Sequence, residues 1–270
     1  MPRLTSRRRG PFRPEAGGAL LVHCSHHKAG TVWFRRVLWR LATACELRFQ
    51  SCRGEPVAAA TDIAFFRSSR LFEAQDLSGR TFRGSHLIRD PRDVVVSGYF
   101  YHLWTAERWA QEPDGHSFGG LSYQQYLNSV DRRQGLLAEI EHCAATTLAD
   151  MAAWDYGRPQ FLELRYEEVM ADERAVFTRL FGFYGLDAEA VEAGLRAVAR
   201  VSIRPAATAD VEKPRRAATA DVEKPRRHVR SGQAGQWRRY FDDEHVERFK
   251  ELTGDLVVRL GYESAPDWVR

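Results

Sequence analysis

The sequence predicts an α/β protein: a parallel β-sheet flanked by helices on both faces. Two observations carry that prediction. Short apolar runs suited to buried strands, at Ala19–Val22, Phe82–Ile88 and Gln160–Arg165, alternate with stretches whose apolar residues repeat at helical spacing. In addition, the first two of these strands run through short turns into helices, the order of elements that a parallel sheet requires.

The chain has 270 residues, enough for a core that buries roughly three quarters of the unfolded surface. Residues 1–18 hold five arginines, three prolines and three glycines and read as a disordered basic tail; a single domain is expected over 19–270. No apolar run has the length of a secretory core or of the ~20 residues that span a membrane. A net charge of +4 fits an anionic ligand without demanding nucleic acid. The four cysteines, Cys24, Cys45, Cys52 and Cys143, lack metal-site spacing and read as reduced, buried thiols of a cytoplasmic protein.

In chain order, the first strand leads into His26-His27-Lys28-Ala29-Gly30-Thr31, and Val32, Trp33, Val37, Leu38, Leu41 and Cys45 then mark a helix from about Thr31 to Leu47. Residues 48–80 are poorly patterned, apart from a short strand candidate at Ile63–Phe66. Phe82–Ile88 runs into Arg89-Asp90-Pro91-Arg92-Asp93, where Asp90 reads as an N-cap and Pro91 as the first helical residue of a helix continuing to Trp104. Helices are expected at Ser122–Val130, Gly135–His142 and Thr146–Trp154. The strand Gln160–Arg165 ends at Tyr166; Asp172 then caps a helix stopped at Gly185, and another follows over Ala188–Arg200. Ala206–Arg216 is repeated letter for letter as Ala217–Arg227, too short and polar for a solenoid and read as a duplicated surface loop. One amphipathic helix is expected over Asp242–Leu260.

Two stretches carry chemistry. A strand–turn–helix directs free backbone N–H groups and the positive helix end at one place, which suits an anion; Gly30 allows close approach, Lys28 adds a charge and Thr31 a hydroxyl. Arg89, at the carboxyl end of a strand, and Ser97, eight residues on, can converge on one ligand, because positions 90, 94 and 97 share a helix face.

Together with two further stretches, these resemble the PAPS-dependent sulfotransferase family (PAPS being 3′-phosphoadenosine 5′-phosphosulfate). His26–Trp33 (HHKAGTVW) resembles its P-loop-like 5′-phosphosulfate loop, and Arg89–Ser97 (RDPRDVVVS) its 3′-phosphate motif. Arg230–Trp237 (RSGQAGQW) is similar to its late closing loop, and Arg165–Val169 (RYEEV) to its Tyr–Glu segment. The resemblance, covering about residues 19–263, implies transfer of a sulfuryl group from 3′-phosphoadenosine 5′-phosphosulfate to a hydroxyl or amine, leaving 3′,5′-adenosine bisphosphate and needing no metal. It implies Lys28 on the bridging oxygen, and Ala29, Gly30 and Thr31 on the 5′-phosphate. Trp33 and Tyr166 would lie near the adenine, and Arg89, Ser97, Arg230, Ser231 and Gly232 would hold the 3′-phosphate. Val32 and Ser231 depart from the common pattern, each removing one polar contact. The implied acceptor is a small molecule or carbohydrate.

The acceptor's base is open. The family's Thr–His–Leu–Pro string is absent. Glu139 and His142 are the first candidates; His27 is equally a loop-shaping residue, while His86 reads as a packed strand histidine and His102 as core. Three other functions compete. A P-loop kinase or NTPase shares the strand–loop–helix, but its G-x-x-x-x-G-K-[ST] string is missing and the lysine here precedes the glycine. A nucleic-acid-binding protein would use the basic runs, which are interrupted by acids. A family member that binds cofactor without catalysis would leave the base unassigned.

Overall fold

In a computed structural model of the chain, the described residues are 19–113, 118–202 and 233–270. The expected tail at 1–18, the duplication at 206–227 and Arg230-Ser231-Gly232 lie outside them. The described residues form two compact units.

The first unit comprises 19–26, Gly30–Ile88 and Asp155–Ser202. It contains five strands, β1 (Leu20–Ser25), β2 (Phe49–Cys52), β3 (Ile63–Phe66), β4 (Phe82–Ile88) and β5 (Phe161–Arg165), in the order β2-β3-β1-β4-β5. Every pairing is parallel, with Leu21 opposite Ile63 on one side and Arg83 on the other. The chain leaves β1 toward β2 and β3, then crosses back to β4 on the opposite side, so the winding reverses between β1 and β4. Ligands of open α/β sheets bind beyond the strand ends at such a reversal. All residues of β1 and β3 are buried, as expected at the centre of a parallel sheet covered on both faces.

The helix Thr31–Ala44 buries Trp33, Val37, Leu38 and Leu41 of the residues that predicted it, and Phe34 besides, while Val32 is exposed. It stops three residues short of Leu47, because Glu46 takes a left-handed φ of 55° and turns the chain into β2. That strand is short and half-buried, which left it without an apolar pattern to read. Phe34 stacks on His23 at 3.9 Å. His23 Nδ1 and the Ser85 hydroxyl are 2.8 Å apart, Ser85 meets the Tyr184 hydroxyl at 2.7 Å, and that hydroxyl donates to the Val22 carbonyl. This chain of bonds satisfies polar groups in the sheet's interior. The helix Glu173–Tyr184 starts at Asp172, whose carboxylate accepts from the Ala175 amide, and ends at Gly185, as predicted; Ala188–Val201 follows.

The second unit comprises His27–Ala29, Arg89–Trp154 and, among the described residues, 233–270. Its central helix, Pro91–His102, begins as predicted, with Asp90 accepting from the Arg92 amide and Pro91 at the first position. Arg92 is buried; it donates to Asp90 and Glu263 and lies over the rings of Trp237 (3.9 Å) and Trp268 (4.6 Å). The C-terminal segment is thereby fastened to this helix. Tyr123–Ser129, Arg132–Ala145 and Thr147–Ala153 occupy the three predicted helical stretches. The single helix expected over Asp242–Leu260 is instead two, Asp243–Thr253 and Leu256–Arg259. Gly254 breaks it with a φ of 58°, a value that costs little without a Cβ. Among the described residues no helix is long and apolar enough to cross a membrane, and all four cysteines are buried and unbridged.

Candidate active site

In the second unit the organising residue is Lys28. Its backbone is left-handed, φ 63°, an uncommon conformation for a residue with a side chain. The ammonium lies 3.9 Å from the centre of the Tyr101 ring and forms no ion pair among the described residues. Burial, with Arg89 nearby, brings its pKa from 10.5 down to about 8, against the pull of Glu139 and Glu107. A desolvated cation resting on a ring and facing a second cation is a place an anion would stabilise.

Arg89 is 5 % exposed. Its Nη1 donates to the Lys28 carbonyl at 3.2 Å and its Nη2 to the Gln233 carbonyl at 3.3 Å, with Asp93 one helical turn on at 3.7 Å. Asp93 in turn accepts from the amides of Gly235 (2.7 Å) and Trp237 (2.9 Å). Burial holds its carboxyl above the usual range, against Arg89 and those two amides. Arg89, the Lys28 turn and the described end of the Arg230–Trp237 segment are therefore joined through one guanidinium and one carboxylate. Ser97 is half-buried on the same helix. Sequence reasoning assigned Asp93 no role in the site; its spacing of four from Arg89 was the available signal.

Glu139 and His142 lie in the same unit but do different things. Glu139 is wholly buried and accepts from His102 Nδ1 (2.9 and 3.0 Å), the Tyr123 hydroxyl (2.6 Å) and the Cys143 thiol (3.2 Å). Burial would raise its pKa, yet His102, His142 and Tyr123 together hold it below the ordinary carboxylate value. A Cβ on Gly98 would stand 2.2 Å from its Oε1, so the helix at that point leaves room for the carboxylate. His142 is half-buried and stacks on Trp109 at 4.8 Å. Burial lowers its pKa, with Glu139 opposing. Tyr101 and Tyr123 were not among the candidates, and His102 was read from the sequence as core.

Of the remaining described candidates, all but His27 and Ala29 lie in the first unit. Gly30 is the N-cap of its helix with φ 95°, and a Cβ there would come 3.2 Å from the Tyr166 ring. The Thr31 hydroxyl donates to the His26 carbonyl (2.8 Å) and meets the Ser25 hydroxyl (2.9 Å), closing the turn. Ala29 is buried, assigned to the second unit just before the chain passes into the first. Val32 is 39 % exposed, whereas Trp33 is buried edge-on against Phe34 and Phe177. The Trp33 indole N–H has no hydrogen-bond partner among the described residues. His86 is the packed strand histidine expected: its Nδ1 meets Glu163 at 2.7 Å, its Nε2 meets His26 at 2.8 Å, and burial drives its pKa to about 3.

Parallel topology, a winding reversal beside β1 and a small-residue turn between β1 and its helix define the class: an α/β protein built on a P-loop-like strand–turn–helix. Comparison with known proteins then gives the family. Residues 85–261 match the sulfotransferase domain model, about two thirds of the chain, and the chain belongs to that family. It is 26 % identical to rat sulfotransferase 2A1 over 167 residues, 62 % of this chain and 54 % of that protein, so the match spans about half the relative's length. Its fold is similar to that of mouse sulfotransferase SULT7A1 complexed with PAP, with a TM-score of 0.58 at 16 % identity, over 91 % of this chain and 86 % of that one.

Proposed function

We propose that the chain moves a sulfuryl group from 3′-phosphoadenosine 5′-phosphosulfate to a hydroxyl or amine of a small-molecule or carbohydrate acceptor. The observation that carries this reading is the direct bond from the Arg89 guanidinium to the Lys28 carbonyl, which joins the two phosphate motifs. The donor supplies an activated sulfuryl group on a phosphate leaving group. Every other requirement falls to the chain: alignment, and stabilisation of the charge that builds on the oxygen being released.

Lys28 meets the second requirement. With a pKa of about 8 it is mostly protonated at neutral pH, and its desolvated charge acts more strongly than it would in water. Arg89 and Ser97 serve the 3′-phosphate. Asp93 keeps Arg89 oriented and fastens the segment that follows Gly232. Gly30 and Thr31 come directly after Ala29 in the chain and begin a helix whose first amides have no intrahelical partner, the donors a 5′-phosphate would use.

A thermal-shift comparison tests this reading. 3′,5′-Adenosine bisphosphate should raise the melting temperature, while ATP with Mg²⁺ should raise it much less. Equal or reversed shifts would favour a kinase-type nucleotide site.

A further inference from the structure

We infer that His102, held by the buried Glu139 carboxylate, is the residue that takes the acceptor's proton. This rests on the sulfuryl-transfer reading and assigns the base that the sequence left open.

A carboxylate that is fully buried and already accepts from His102, Tyr123 and Cys143 has no position left to receive an acceptor's proton. It is a positioning residue. Because it stays ionised, it fixes the tautomer of its partner: His102 Nδ1 carries the hydrogen and donates, which leaves the lone pair on Nε2. That Nε2 is buried and has no hydrogen-bond partner among the described residues. A buried nitrogen without a partner is unfavourable, and a hydroxyl or amine arriving as a donor would satisfy it.

His102 belongs to the same unit as Lys28, and Tyr101 links them: Lys28 Nζ lies on the Tyr101 ring at 3.9 Å and that ring is 5.4 Å from the His102 ring. His27, the residue before Lys28, stacks parallel to His102 at 5.5 Å. The titratable groups facing His102 are Glu139, His27, His142, Tyr101 and Tyr123, of which Glu139 is the carboxylate in contact. Trp109 lies edge-on to the imidazole at 5.1 Å and is 43 % exposed, forming the outer side of the cluster. His142 competes less well: it is half-buried and no side-chain hydrogen bond among the described residues fixes its tautomer.

The step balances. The acceptor's O–H or N–H proton passes to His102 Nε2 as the acceptor atom bonds to sulfur. The bond from sulfur to the bridging oxygen breaks, its electron pair leaving on the phosphate beside Lys28. The imidazolium so formed faces the Glu139 carboxylate, and Gly98 provides that carboxylate's space.

The test uses His102→Asn, which keeps a side-chain N–H toward Glu139 and removes Nε2. Two probe acceptors are compared: 2-naphthol, which retains its proton at neutral pH, and 4-nitrophenol in mildly alkaline buffer, where it is ionised. Expected is a loss of roughly 10²–10⁴-fold in transfer to 2-naphthol, the range for one general base, and much less than this with 4-nitrophenolate. Affinity for 3′,5′-adenosine bisphosphate, measured by calorimetry, should be unchanged. Equal losses on the two acceptors would overturn the assignment. Glu139→Gln should move the rising limb of the kcat/KM pH profile to lower pH, because the imidazolium loses its counter-charge; an unmoved limb would also overturn it. The nitrogen-15 spectrum of the wild-type imidazole gives an answer independent of activity: His102 should be the Nδ1–H tautomer, and an Nε2–H tautomer refutes the proposal. Failure of the wild type to bind the bisphosphate would strike the sulfuryl-transfer reading, with the tautomer still deciding the arrangement at His102.

Discussion

Replacing Lys28 with methionine should make the protein more stable and less active. The lysine is charged at a cost: a pKa lowered from 10.5 to about 8 by burial and by Arg89 means the fold disfavours the ammonium. At about 1.36 kcal/mol per pKa unit this is roughly 3 kcal/mol. The Tyr101 ring, 3.9 Å away, returns part of that, on the order of 0.5–2 kcal/mol for a cation over an aromatic face. Methionine preserves the stem and meets the same left-handed backbone, so the net gain for Lys28→Met is about 1–2.5 kcal/mol. For a chain of this size that raises the melting temperature by about 2–10 °C. The pH dependence follows from the depressed pKa. Below about pH 8 the lysine is charged in both folded and unfolded states, and the cost is fully present. As pH rises from about 8 toward 10.5 the folded state sheds its proton first, so the wild type should approach the variant. Calorimetric melts of both proteins across that range provide the check. A variant that melts at or below the wild type at pH 7, or a difference that grows with pH, would refute the reasoning.

Other substitutions test neighbouring parts of the site. Gly30→Ala puts a side chain at φ 95° and a Cβ 3.2 Å from the Tyr166 ring; urea unfolding should show a loss of about 1–3 kcal/mol. Asp93→Asn removes the charge that accepts from Gly235 and Trp237 and faces Arg89. Bisphosphate affinity should fall by roughly tenfold or more, the scale of a charged hydrogen bond, and calorimetry measures it. Deleting Ala217–Arg227 leaves one copy of the duplicated segment; the melt should change by well under about 1–2 kcal/mol, since halving a loop's length alters its closure cost by only ~0.6 kcal/mol.

The parts of the fold that sequence disclosed are those with a local cause. Asp90-Pro91 announced its helix because a cap and a proline act within one turn, and β1, β3, β4 and β5 were readable as apolar runs bounded by turns. Phe49–Cys52 was missed because its stability comes from pairing with β3, and half-buried residues leave no run. The break at Gly254 was missed because the apolar spacing carries on past it into Leu256–Arg259. The turn at Lys28 and the helix start after Arg89 were legible from residue type and spacing. The Glu139–His102–Tyr123 network was not, since its members come from three helices and meet only in the folded unit. Glu139 stood out in the sequence as a candidate base, but nothing in its neighbours showed that all its accepting positions were taken.

In the proposed function Arg89 reads a 3′-phosphate beside the Lys28 turn, and a comparison of two nucleotides tests that role. Calorimetry with 3′,5′-adenosine bisphosphate and with 5′-AMP gives the ratio of dissociation constants in the wild type and in Arg89→Ala. The wild type should prefer the bisphosphate by roughly tenfold to a hundredfold, the worth of charged hydrogen bonds to one phosphate. In Arg89→Ala that preference should largely disappear while 5′-AMP binding changes little. A wild type that binds both nucleotides equally, or a preference that survives loss of Arg89, would contradict it.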